Sequence, residues 1–152
     1  MKGKLFTIAA IVSVVSFCTP VYAESSGDDS TCPTHPHQRT ATQVLQAHVT
    51  AFETGNAQLV ACDYAKDAVF ILPGSVAQGP NNIEAAFASF FALAGGNIHV
   101  TTNSLTLADD VALFEYSVDS DHVIVSDGVD SFVIDNGLIA AQTAHLGGLS
   151  FK

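Results

Sequence analysis

The sequence predicts an α+β fold, with helices first and a long-stranded antiparallel sheet after them. Three observations carry this. Apolar residues recur at helical spacing as far as Phe91, and runs of strand character fill the chain from Ile98 onward. The separators between those runs, Ala108-Asp109-Asp110, Asp119-Ser120-Asp121 and Asp135-Asn136-Gly137, are short and rich in turn formers, which makes an antiparallel meander. Helices that precede the strands rather than alternate with them pack on one face of the sheet. If that sheet is curved, the two layers enclose a pocket.

The first segment is not part of that fold. Lys2 and Lys4 stand ahead of the apolar run Leu5–Phe17, and Val21 and Ala23 place compact residues before a cut after Ala23. Residues 1–23 therefore read as a secretory signal peptide, and the expected location is secreted or periplasmic. The run is short for a membrane span, and no later stretch approaches the ~18 apolar residues a span needs. Cys18 leaves with the leader, and Phe17 stands where a lipoprotein signal would have a small residue.

The whole chain has 152 residues, with 15 Asp and Glu against 5 Lys and Arg, a formal charge of −10. Cleavage removes Lys2 and Lys4 and leaves Arg39, Lys66 and Lys152 as the only cations, for a net −12. Phosphate binding needs Lys and Arg to displace counterions, so nucleic acid is not an expected partner. An anionic membrane surface is disfavoured for the same reason. Cys32 and Cys62 remain as an even pair in an exported chain, where disulfides persist. Bridging them closes a loop of about 30 residues, worth about 3–4 kcal/mol.

Residues 24–39 form a polar tail with no apolar periodicity, expected to be flexible except where Cys32 pins it. His35 and His37 lack further ligands at metal-binding spacing, so a solvated tail is the better reading and no metal is expected. The domain proper spans residues 40–152. Val44, Leu45, His48, Val49 and Phe52 mark the first helix, stopped at Gly55, and Asn56 caps a short second one through Leu59, Val60 and Cys62. Ala68–Leu72 is a short strand ended by Pro73-Gly74. Gly79-Pro80 opens a third helix carrying Ile83, Ala86, Phe87, Phe90 and Phe91 as far as Gly95-Gly96. Strands follow over Ile98–Leu107, Val111–Asp119, His122–Ile134 and Leu138–Leu146.

Four of these segments resemble the nuclear transport factor 2-like superfamily, which includes ketosteroid isomerases and SnoaL-like polyketide cyclases. Val44–Asn56 is similar to its first helix, and Asp63-Tyr64-Ala65-Lys66-Asp67-Ala68 to its strand entry. Gly79 with Ile83-Glu84-Ala85-Ala86-Phe87 looks like its third helix, and Asp130–Ile139 like its penultimate hairpin. Together they cover about residues 40–147. The resemblance implies a cone-shaped fold, three helices packed on a curved antiparallel sheet. It leaves chemistry open, because this fold carries isomerases, cyclases, hydrolases and non-enzymatic binders.

Two polar residues stand out within apolar patterns. His48 shares a helical stripe with Leu45 and Phe52, and Asp130 shares strand parity with Phe132 and Ile134. By resemblance, His48 falls where the isomerases place a tyrosine that donates to the oxyanion, and Asp130 where they keep a protonated aspartate. Both are candidate catalytic residues. Burial would raise the Asp130 pKa and a nearby imidazolium would lower it. The isomerases' base position corresponds to Leu72, and leucine cannot abstract a proton, so steroid isomerisation by the usual route is not expected.

Phe52, Tyr64, Phe87, Phe91 and Gln142 are candidate ligand-lining residues. Gln142 joins Asp130 only in one hairpin register. A two-residue Asn136-Gly137 loop pairs Asp130 with Thr143, whereas a type I turn with Gly137 as bulge residue pairs it with Gln142; the bulged turn is the expectation. His99, His122 and His145 are expected at the surface or rim. Ser75 and Ser89 lack a nucleophile elbow, and nothing in the sequence calls for a cofactor. The expected ligand is a small hydrophobic molecule, either transformed by isomerase- or cyclase-like chemistry or only bound. A third class is an interaction module forming a homodimer through the outer sheet face.

Overall fold

The structure, a computed structural model, describes residues 32–152. The predicted signal peptide and residues 24–31 of the polar tail lie outside the described residues. From Cys32 the chain is tied down, because a disulfide joins Cys32 to Cys62, with the two Cα atoms 5.3 Å apart. A 3-10 turn, Pro36–Gln38, then leads into the first helix. Residues 32–39 make up the described part of the tail. They dock on the tip of a distant hairpin through His37 Nδ1 and the Asn136 carbonyl, 3.0 Å, and through Arg39 Nη2 donating to the Gly137 carbonyl, 2.9 Å.

Helix α1 runs Ala41–Glu53 from a capping box, in which the Thr40 hydroxyl accepts from the Gln43 amide and Gln43 Oε1 accepts from the Thr40 amide. Helix α2, Ala57–Ala61, begins at Asn56, whose Oδ1 accepts from the amides of Gln58 and Leu59. Helix α3, Pro80–Ala94, has proline at its first position, where a missing N–H costs nothing. All three follow the apolar spacing of the sequence.

Seven strands form one sheet: β1 Tyr64–Leu72, β2 Ser75–Gln78, β3 His99–Ala108, β4 Val111–Asp119, β5 Val123–Asp135, β6 Leu138–Gly147 and β7 Ser150–Phe151. Their order is β2-β1-β6-β5-β4-β3, with β7 added to β5. The run β3 to β6 is the predicted antiparallel meander. The sheet as a whole is mixed, however, because β1 lies parallel to β6. The polypeptide leaves β1 through the β1–β2 hairpin and α3, a crossover long enough to place the later strands beside β1 in either sense. Strand β2 was not predicted: it is a short, exposed edge with little apolar signal. The core lies between the helices and the concave sheet face, filled by Val44, Ile83, Val118, Phe132 and Ile139 among others. No described helix is long and apolar enough to cross a membrane.

The β5–β6 hairpin departs from both expected registers. Asn136 and Gly137 both take positive φ, 49° and 72°, and Asp135 pairs with Leu138, so the loop is the two-residue kind. The ladder then shifts between Ile134↔Ile139 and Val133↔Ala141, leaving Ala140 as an extra residue in β6. Asp130 consequently pairs with Ala144, and Phe132 with Gln142. The bulge restores the parity that the two-residue loop alone would have reversed. Gln142 and Asp130 therefore share the concave face.

Candidate functional site

A cavity lies between that concave face and helices α1 and α3. It has room for the centre of a water-sized sphere over about 70 Å³, inside an envelope of about 640 Å³ that opens to solvent. One such sphere needs roughly 10–15 Å³, so the cavity holds several waters or a small organic group. Helix α1 contributes His48 and Phe52, and α3 contributes Ala86, Phe87 and Phe90. The sheet contributes Phe70 and Leu72 from β1, Phe114 and Tyr116 from β4, Asp130 and Phe132 from β5, and Gln142 and Ala144 from β6. Leu72 is an apolar piece of the wall.

Asp130 is 7% exposed and held by two donors: the Tyr116 hydroxyl reaches Oδ1 at 3.0 Å, and Gln142 Nε2 reaches Oδ2 at 2.7 Å. Gln142 Oε1 in turn accepts from the Tyr64 hydroxyl. Burial raises the Asp130 pKa to about 7, against the hydrogen bonds from Gln142 and Tyr116, which favour the carboxylate. Burial and the Asp130 charge together push both tyrosines above their ordinary range. The carboxyl is thus poised between its two forms near neutral pH.

His48 faces the same cavity from α1, boxed by the rings of Tyr64, Phe87 and Phe132, with centroids 5.6, 5.8 and 5.6 Å away and each ring near-perpendicular to it. Burial lowers its pKa from 6.5 to about 4, so at neutral pH it is an uncharged imidazole. It therefore exerts no cationic pull on Asp130. No hydrogen bond joins His48 to Asp130 among the described residues. The two stand in one cavity as separate polar groups, one neutral and one titrating.

Of the residues expected to line the site, Phe52, Phe87 and Gln142 do so. Tyr64 and Phe91 stand outside that wall. Tyr64 sits at the start of β1 behind Gln142, where its hydroxyl orients the amide and its ring packs on His48. Phe91 packs edge-on against Phe52 and Phe90, 5.1 and 6.0 Å away, so that Phe90 supplies the wall instead. His99, His122 and His145 are exposed.

Tyr116 escaped the sequence reading although a signal was present. It lies in phase with Ala112, Phe114 and Val118, and a buried tyrosine needs a partner for its hydroxyl. Its ring occupies the space beside Gly128, its partner on β5, where a Cβ would come within 2.5 Å of it.

Comparisons with known proteins agree on the fold. A family model described as "SnoaL-like domain" matches residues 45–142. A hypothetical protein of ketosteroid isomerase-like fold from Catenulispora acidiphila, solved in complex with trimethylamine, superposes with a TM-score of 0.62 at 16% identity, over 72% of this chain and 88% of that one. A polyketide cyclase-like protein from Sinorhizobium meliloti gives 0.59 at 21% identity, over 67% and 93%. An epoxide hydrolase/cyclase-like enzyme with a role in pyran ring formation in the polyether salinomycin gives 0.62 at 12%, over 74% and 95%. No curated protein matches the chain.

Proposed function

The chain belongs to the SnoaL-like domain family, of nuclear transport factor 2-like fold, and we propose that it binds a small, mostly apolar molecule in the cavity under α1 and α3. In this reading Asp130 and His48 orient a polar group of that molecule, and they polarise a carbonyl or move a proton in an isomerase- or cyclase-like reaction. The observation that supports it most is Asp130 itself, a carboxyl raised to about 7 in an apolar cavity whose other ionisable wall residues, His48 and Tyr116, are neutral at that pH. Groups with shifted pKa values in clefts are where acid–base work concentrates. The cyclase-like neighbours and the neighbour solved with trimethylamine support this reading.

A cleaved leader and an exported, oxidising location complete the proposal. The Cys32–Cys62 bridge supports it, since such bridges persist outside the cytosol. A homodimer or interaction module is a second reading. It is favoured by Ile71, Val111, Leu113 and Val133, all exposed on the outer face of the sheet.

His48→Ala and Asp130→Asn test the site. Each is expected to weaken binding of a small hydroxyl-bearing ketone, taken from a screened panel, by roughly tenfold, the worth of about one hydrogen bond. Full affinity in both variants would place the binding site elsewhere.

A further inference from the structure

His48 also meets a second polar chain, which does not line the cavity. Asp63 is 2% exposed and sits between α2 and β1. Its Oδ1 accepts from Arg39 Nη1 at 2.5 Å, and its Oδ2 lies 3.9 Å from His48 Nδ1. Nδ1 is buried and has no hydrogen-bond partner among the described residues. The three perpendicular aromatic neighbours of His48 leave the imidazole little freedom to turn. Asp63 is fixed from its own side as well, by its pair with Arg39 and by the disulfide at the adjacent Cys62, and its backbone carbonyl accepts from the Ile139 amide at 2.8 Å. Gly137 leaves room for this N-terminal segment, since a Cβ there would come within 2.1 Å of the Pro36 carbonyl.

From this geometry we propose that Asp63 is a positioning residue that holds the proton of neutral His48 on Nδ1 and leaves Nε2 an unprotonated acceptor facing the cavity. Burial raises the Asp63 pKa, and the paired Arg39 guanidinium opposes that rise; beside the Asp63 carboxylate, a neutral imidazole places its single proton on the nitrogen nearest that acceptor. The consequence rests on the cavity being a ligand site. His48 then accepts a hydrogen bond from the ligand instead of donating one to an oxyanion, while Asp130, when protonated, is the donor. The matching ligand class is a small apolar molecule that carries a hydroxyl group toward α1 and a carbonyl-type oxygen toward β5.

Long-range nitrogen–proton NMR of the histidine-labelled, disulfide-intact protein tests the assignment without any ligand, so its outcome is separate from that of the cavity reading. His48→Gln identifies the resonances. The wild type is expected to show Nε2 as the unprotonated nitrogen, with an NOE from the Nδ1 proton to the Asp63 β-protons. In Asp63→Asn, the Asn oxygen faces Arg39 and its NH2 group turns partial positive charge toward Nδ1, so the tautomer is expected to shift from the Nδ1-protonated to the Nε2-protonated form. A wild-type proton on Nε2, or a folded Asp63→Asn with the tautomer unchanged, would overturn the proposal. If Asp63→Asn does not fold, the wild-type NOE decides, and its absence counts against the proposal.

Discussion

Asp130 and His48 are the same kind of residue problem, an ionisable side chain in an apolar phase, and burial moves their pKa values in opposite directions. Asp130 is raised from 3.8 to about 7, so folding binds a proton there, and the stability from that proton is present below pH 3.8 and lost as the pH rises through about 7. His48 is lowered from 6.5 to about 4, so its contribution is present above pH 6.5 and lost as the pH falls through about 4. Between pH 4 and 6.5 the two slopes oppose. Asp130→Asn removes one of them, so the stability difference between variant and wild type should move steadily in the variant's favour from pH 4 to pH 7. Urea unfolding of both proteins across that range measures it, and a flat difference would mean Asp130 is ionised throughout. Both residues were legible in the sequence, because each breaks an apolar pattern without leaving its phase. Neither Asp63 nor Tyr116 was picked out as functional. Asp63 precedes its strand with no apolar stripe to interrupt, and Tyr116 blends into the aromatic side of β4.

At the scale of elements, the helices were the most legible part, since an apolar 3.6-residue stripe and a glycine past the end agree at α1 and α3, and the capping Asn56 marks α2. The strands of the meander were nearly as clear, but the way they join was not. One extra residue in β6, Ala140, decides which face Gln142 occupies, and alanine carries no turn or bulge signal. The parallel β1–β6 pair is a long-range contact that no local pattern encodes. The β4–β5 pair gives a sharper test of how the site is built. Gly128→Ala drives a methyl into the Tyr116 ring, which is also stacked on Phe114 with centroids 5.0 Å apart and so has little room to yield. The expected cost is about 1–3 kcal/mol by overpacking, above the roughly 1 kcal/mol for Tyr116→Phe, which removes only a hydrogen bond. Denaturation midpoints of the two variants compare them. Equal midpoints would show that the glycine is not making room for the tyrosine.

The described molecule is a strongly acidic domain in which residues 32–39 are fastened back to the hairpin tip and to the end of α2, so that one disulfide and one arginine tie that segment to Asp63 beside His48. Fold and cavity position followed from helices ahead of a meander. The identity of the ligand did not, because a cavity lined by phenylalanines specifies size and polarity rather than one compound. Its central property is occupancy. Native mass spectrometry of the protein isolated from its native cells reads both bound mass and oligomeric state. It is best run beside Ala86→Trp, which fills the cavity from α3. The account predicts that the wild type carries a small bound molecule and the variant, folded and of the same oligomeric state, does not. Equal loading of both, or an empty wild type that gains no ligand from a panel of small hydroxyl-bearing ketones, would contradict it.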